Sequence, residues 1–79
     1  MKAYLRIEQQ GIVPTERIVT VGRVESAAMK RLLSITPPTH ILILTGGKRR
    51  RSVIVLDSGH LVVTTLTVAE INWQLAEED

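Results

Sequence analysis

Two short runs, Ile41–Leu44 and Val53–Leu56, are apolar at every position. Side chains along a strand alternate between two faces, so strands of this kind demand cover on both sides of the sheet. The chain has 79 residues and no cysteine. A domain of this length buries only about 60% of the surface that its unfolded chain exposes. Disulfides and thiolate metal sites cannot add stability here. Two short helices can cover one face of such a sheet. The other face is then expected to be covered by a second copy of the chain, and the alternative is an intramolecular core around a curved sheet.

Punctuation divides the chain. Gly11 with Pro14, Pro37-Pro38, Gly46-Gly47 and Asp57-Ser58-Gly59 mark the breaks. Residues 4–8 alternate loosely and are weakly strand-like. Ile18–Val21 is β-branched and reads as a strand. Ser26 suits a helix N-cap, and Met29, Leu32 and Leu33 form one helical face. Pro37-Pro38 stops that helix. The stretches 40–44, 51–56 and 60–66 read as three further strands, joined as two consecutive hairpins. Thr67 and Glu70 have the spacing of a capping box, which opens a closing helix striped by Val68, Ile71 and Leu75. Trp73 lies off that stripe, at the margin of the core or against a second subunit. The expected fold is one α+β domain over residues 1–79, with a small, mostly antiparallel sheet (a meander of hairpins) and two short helices.

Ten Lys and Arg face eight Asp and Glu, for a net charge of +2. The layout is uneven. Glu70, Glu77, Glu78 and Asp79 lie in the last ten residues, while residues 1–69 hold ten basic and four acidic side chains. Lys48, Arg49, Arg50 and Arg51 are consecutive behind two glycines that permit a tight turn. Such a cluster repels itself, and a phosphate backbone would relieve that repulsion. A solvated, charged turn is the competing reading, and both are open at this point. Tyr4 and Trp73 are the only Tyr and Trp, and Phe is absent, so no base-stacking platform for single strands can be built.

Catalytic patterns fail on inspection. Gly46-Gly47-Lys48 lacks the first glycine of a phosphate loop, and Arg49 stands where Ser or Thr should bind magnesium. Asp57, Ser58 and His60 are good turn chemistry rather than a triad. His40 and His60 lack companion ligands for a metal. No enzyme activity, cofactor, metal or small-molecule substrate is expected. The N-terminal residues lack an apolar leader and no run is long enough to cross a membrane. A cytoplasmic, nucleoid-associated location without membrane contact is the expectation.

Several segments together resemble one family. Arg17-Ile18-Val19, Glu25-Ser26-Ala27 and Lys30-Arg31 are similar to its first half. Thr45 to Val55, then Asp57-Ser58-Gly59-His60, are similar to its second. The family is RemA, bacterial regulators of the extracellular matrix, and the resemblance spans roughly residues 12–75. It implies a transcriptional regulator that binds double-stranded DNA as a ring-like homo-oligomer. Arg17, Lys48, Arg49 and Arg51 match its basic positions, and Arg50 adds a charge where the family has a small polar residue. Arg17, Lys48, Arg49, Arg50 and Arg51 are therefore the expected DNA-binding residues. A scaffold whose basic turn meets an acidic protein is the alternative.

Overall fold

The structure is a computed structural model and describes residues 3–76. The terminal acids Glu77, Glu78 and Asp79 lie outside the described residues. The chain opens with a hairpin of β1 (Tyr4–Ile7) and β2 (Gly11–Pro14). A single 3-10 turn at Thr15–Arg17 leads into β3 (Ile18–Arg23). Helix α1 (Ala27–Ile35) follows, then a second 3-10 turn at Pro38–His40. Strands β4 (Ile41–Leu44), β5 (Ser52–Leu56) and β6 (Leu61–Thr64) precede helix α2 (Val68–Ala76).

Local chemistry sets the helix ends. The Ser26 hydroxyl accepts the Met29 N–H at 3.2 Å, which caps α1. Helix α1 stops at Ile35, two residues before Pro37-Pro38. The capping box at α2 closes in both directions. Glu70 accepts the Thr67 N–H at 2.8 Å, and the Thr67 hydroxyl accepts the Glu70 N–H at 3.0 Å.

The main sheet has the order β3-β5-β6-β4. Strands β5 and β6 form an antiparallel hairpin, and β3 runs antiparallel to β5. Strand β4 pairs parallel with β6 and does not pair with β5. The fold is thus α+β with mostly antiparallel pairing, but the expected meander is corrected to one hairpin plus a crossover. Burial supplies the reason. Every residue of β6 is buried, whereas the ends of β4 are half-buried and its middle is exposed. Strand β6, buried along its whole length, takes the interior place and β4 goes to the edge. Seven residues separate β4 from β5, more than the two to five or so of ordinary hairpin loops.

Both faces of the central strands are covered within the chain. On one face Ile54 and Val62 pack with Leu5, Ile7 and Val13 of the β1–β2 hairpin and with Leu66 and Ile71 near and in α2. On the other, Val53, Leu61 and Val63 pack under Met29 of α1. Each such fully buried side chain contributes about 1.5–3 kcal/mol. The cover expected from a second copy is thus supplied within the chain, as in the alternative reading: the two helices lie on opposite faces, and the N-terminal hairpin joins α2 on one of them. Apolar side chains are exposed at the sheet edges (Val19 of β3, Leu42 and Ile43 of β4), at Ile35 of α1, at Tyr4 and Ile12 of the N-terminal hairpin and at Trp73 of α2.

Candidate nucleic-acid interface

The cationic segment is a crossover, not a hairpin tip. It leaves β4, passes the end of β6 and enters β5. Gly46 (φ 59°) and Gly47 (φ 83°) take the left-handed conformations that the crossover needs. Three backbone bonds hold it. Lys48 N–H donates to Thr45 O at 3.0 Å, Arg51 N–H donates to Thr64 O at 2.8 Å, and Val24 N–H donates to Arg51 O at 3.0 Å. Arg51 is therefore pinned between the last residue of β6 and the residue after β3. Beneath it, the buried Ser52 and Thr64 hydroxyls share a hydrogen bond of 2.6 Å.

The five expected cations do not form one cluster. Lys48 Nζ lies 3.7 Å from Glu8 Oε1, which draws it toward the β1–β2 turn. Arg17 Nη1 lies 3.5 Å from Asp57 Oδ1, and Asp57 N–H donates to Arg17 O at 2.8 Å. Arg17 thus sits beside Asp57, at the far end of β5 from Arg51. At about 3.3 Å per residue, that strand separates the two positions by about 20 Å. Arg49, Arg50 and Arg51 are exposed and have no carboxylate at ion-pair distance among the described residues, and Arg51 acts only weakly on Glu70.

The structure adds a residue that sequence reading missed. Arg23, the last residue of β3, stands opposite Ser52 in the β3–β5 register. It lines a recess of about 340 Å³ together with Arg49, Arg50 and Arg51. Glu25 and the start of α2, from Thr67 to Ala69, complete the lining. Glu25 Oε1 accepts the Arg23 Nε–H at 3.0 Å. The hydrogen bonds from the Thr67 backbone and hydroxyl hold the Glu70 carboxyl below its ordinary pKa, with a smaller contribution from Arg51. The signal for Arg23 was non-local: only the pairing of β3 with β5 brings it beside the loop.

Ser58 and His60 do meet, at 2.7 Å between Oγ and Nδ1. Asp57 is turned to Arg17 instead, and the His60 ring centroid lies 4.7 Å from that of His40. No group of three or more metal-ligating side chains occurs among the described residues. No helix there is long and apolar enough to cross a membrane.

These features define a class: a small two-helix α+β domain that carries a pinned, exposed cationic crossover at one end of its sheet. Residues 4–75 match the RemA-like family, described as extracellular matrix regulatory protein A-like, and the chain belongs to that family. A relative from Halothermothrix orenii is 33% identical over 69 residues, which is 86% of this chain and 82% of that protein. One from Dictyoglomus thermophilum is 43% identical over 56 residues, 70% of this chain and 66% of that protein. One from Alkaliphilus oremlandii is 35% identical over 69 residues, 86% of this chain and 74% of that protein. Each of the three bears the name "Putative regulatory protein".

Proposed function

We propose that this protein is a transcriptional regulator that binds double-stranded DNA multivalently, as a ring-like homo-oligomer, through the basic crossover. The observation that carries this reading is the set of three adjacent, exposed arginines with no carboxylate at ion-pair distance among the described residues, held on a pinned loop. Like charges so placed raise the local potential and favour a polyanion. Phosphates would supply most of the affinity, and DNA shape the sequence preference.

One subunit offers few contacts, which is weak binding at physiological salt. Copies joined in one assembly bind intramolecularly after the first has docked, with avidity gains on the order of 10²–10⁴. The exposed apolar residues on the edges of β3 and β4 support self-association. Arg17, about 20 Å from the crossover along β5, would serve as a separate phosphate contact. A cytoplasmic, nucleoid-associated location follows from this function.

The test is fluorescence anisotropy of a labelled duplex of ~40 base pairs across a salt series, beside an Arg49→Ala/Arg51→Ala variant of unchanged oligomer mass. The reading expects steep weakening with salt and a salt slope lower by about two in the variant. Wild-type protein that binds no duplex at low salt would refute it and favour a scaffold with an acidic protein partner.

A further inference from the structure

The recess between Arg23, the crossover and α2 has a chemistry of its own. Four guanidinium groups and one carboxylate line it, which leaves the lining with a net charge of +3. Its wall from Thr67 to Ala69 is the capping residue and the first two residues of a nine-residue helix. Four N–H groups at a helix start have no partner inside the helix. Here the capping box satisfies two of them, those of Thr67 and Glu70. The two left over, those of Val68 and Ala69 in the recess wall, have no partner among the described residues. Guanidinium forks and free backbone donors together suit a tetrahedral oxyanion.

Glu25 occupies part of this space by holding Arg23. Both side chains of that pair are largely exposed. An exposed pair of this kind is weak and is readily exchanged for a better anion. Glu25 therefore acts as a stand-in for the ligand and as its competitor.

We propose that this recess is a phosphate seat in which Arg23 joins Arg49, Arg50 and Arg51, with Glu25 as the internal competitor. The ligand is a phosphate group, carried either by the DNA backbone or by a free phosphorylated molecule. The DNA branch rests on the function proposed above. Arg23 is the informative residue, because it lies on a strand end rather than in the basic crossover.

Duplex anisotropy across a salt series, with wild type, Arg23→Ala and Glu25→Gln, tests the seat. Calorimetric titration with inorganic pyrophosphate runs in parallel on the same proteins, checked for equal mass and circular dichroism. If DNA supplies the phosphate, Arg23→Ala lowers the salt slope by about one and the affinity about eightfold at 0.1 M salt, the worth of one phosphate contact. Glu25→Gln shifts affinity the opposite way and keeps the test valid should Arg23→Ala misfold. Wild type that binds pyrophosphate but no duplex, with binding lost in Arg23→Ala, supports a free phosphorylated ligand and refutes only the DNA reading. Wild-type duplex binding that neither variant alters, with pyrophosphate equally bound or unbound by all three proteins, overturns the seat and leaves the DNA reading standing.

Discussion

Replacing Thr64 by valine tests what holds the cationic crossover in place. Valine matches the shape of threonine and removes only the hydroxyl's bonding. Thr64 is fully buried, its Oγ1 lies 2.6 Å from Ser52 Oγ, and it accepts the Leu66 N–H at 3.1 Å. The Thr64→Val change orphans the Ser52 hydroxyl, fully buried, and the Leu66 amide, in a residue only 7% exposed, and also removes the long 3.4 Å bond that the Thr64 hydroxyl donates to Leu66 O. Each such orphan costs about 1–3 kcal/mol. Local relaxation recovers part of this, so the expected loss is about 2–4 kcal/mol. That is a large share of the total for a domain this size, at about 0.05–0.15 kcal/mol per residue. The melting temperature should fall by about 10–25 °C. Urea unfolding at fixed protein concentration measures the loss, since self-association would otherwise shift it. The double variant Ser52→Ala/Thr64→Val removes both hydroxyls and hence one of the orphans. It should cost less than the sum of the single changes by about 1 kcal/mol. A Thr64→Val loss below about 0.5 kcal/mol, or additive single changes, would refute the claim that this hydroxyl pair anchors the crossover.

Gly46→Ala should destabilise the fold by about 1–2 kcal/mol, because a side chain at φ 59° is strained. The added Cβ would also meet Gln10 Nε2 at 2.5 Å, but that is the movable end of an exposed side chain, so denaturant unfolding should read mainly the backbone cost. Glu70 has a folded pKa below its unfolded value, so its stabilisation is present above the unfolded carboxylate range of about 4.3 and is lost as pH falls through the folded value. Wild type should therefore exceed Glu70→Gln in stability near neutral pH, and the gap should close in acid, as read by melts from pH 7 to 2. Arg17→Ala should lower the DNA salt slope by about one, additively with Arg49→Ala/Arg51→Ala, since Arg17 is about 20 Å from the crossover. Anisotropy on the combined variant checks this, and strong non-additivity would show that Arg17 shares a phosphate with the crossover.

Local grammar was legible in the sequence wherever a residue acts on its near neighbours. Ser26 caps α1, Thr67 and Glu70 close the capping box, and Gly46 and Gly47 take positive φ, because each involves chemistry within a few residues. Strand order was not legible, since pairing β4 with β6 skips a strand. The length of the segment from Thr45 to Arg51 was the one local sign against a hairpin. The N-terminal hairpin was half seen: Leu5 and Ile7 face the core, but Gly11–Pro14 is short and ends in proline, a weak strand signal. Arg23 was missed because Gly22-Arg23 breaks the β-branched run of Ile18–Val21, which made the strand look shorter than it is. Trp73, placed between two readings, is 73% exposed.

The change from hairpin to crossover alters how the charge is presented. A hairpin tip would carry its arginines away from the domain on a freely moving arm. The crossover instead lies along the ends of β6 and β5, with Arg51 bonded through both its N–H and its C=O. Under the proposed function, less backbone freedom would be lost on docking a phosphate, and preorganisation of this kind raises affinity without new contacts. The same placement sets the arginines beside Arg23 and the free amides of α2, which no projecting tip would reach. Sheet topology, rather than the count of basic residues, therefore sets Arg23, the crossover arginines and the start of α2 around one recess.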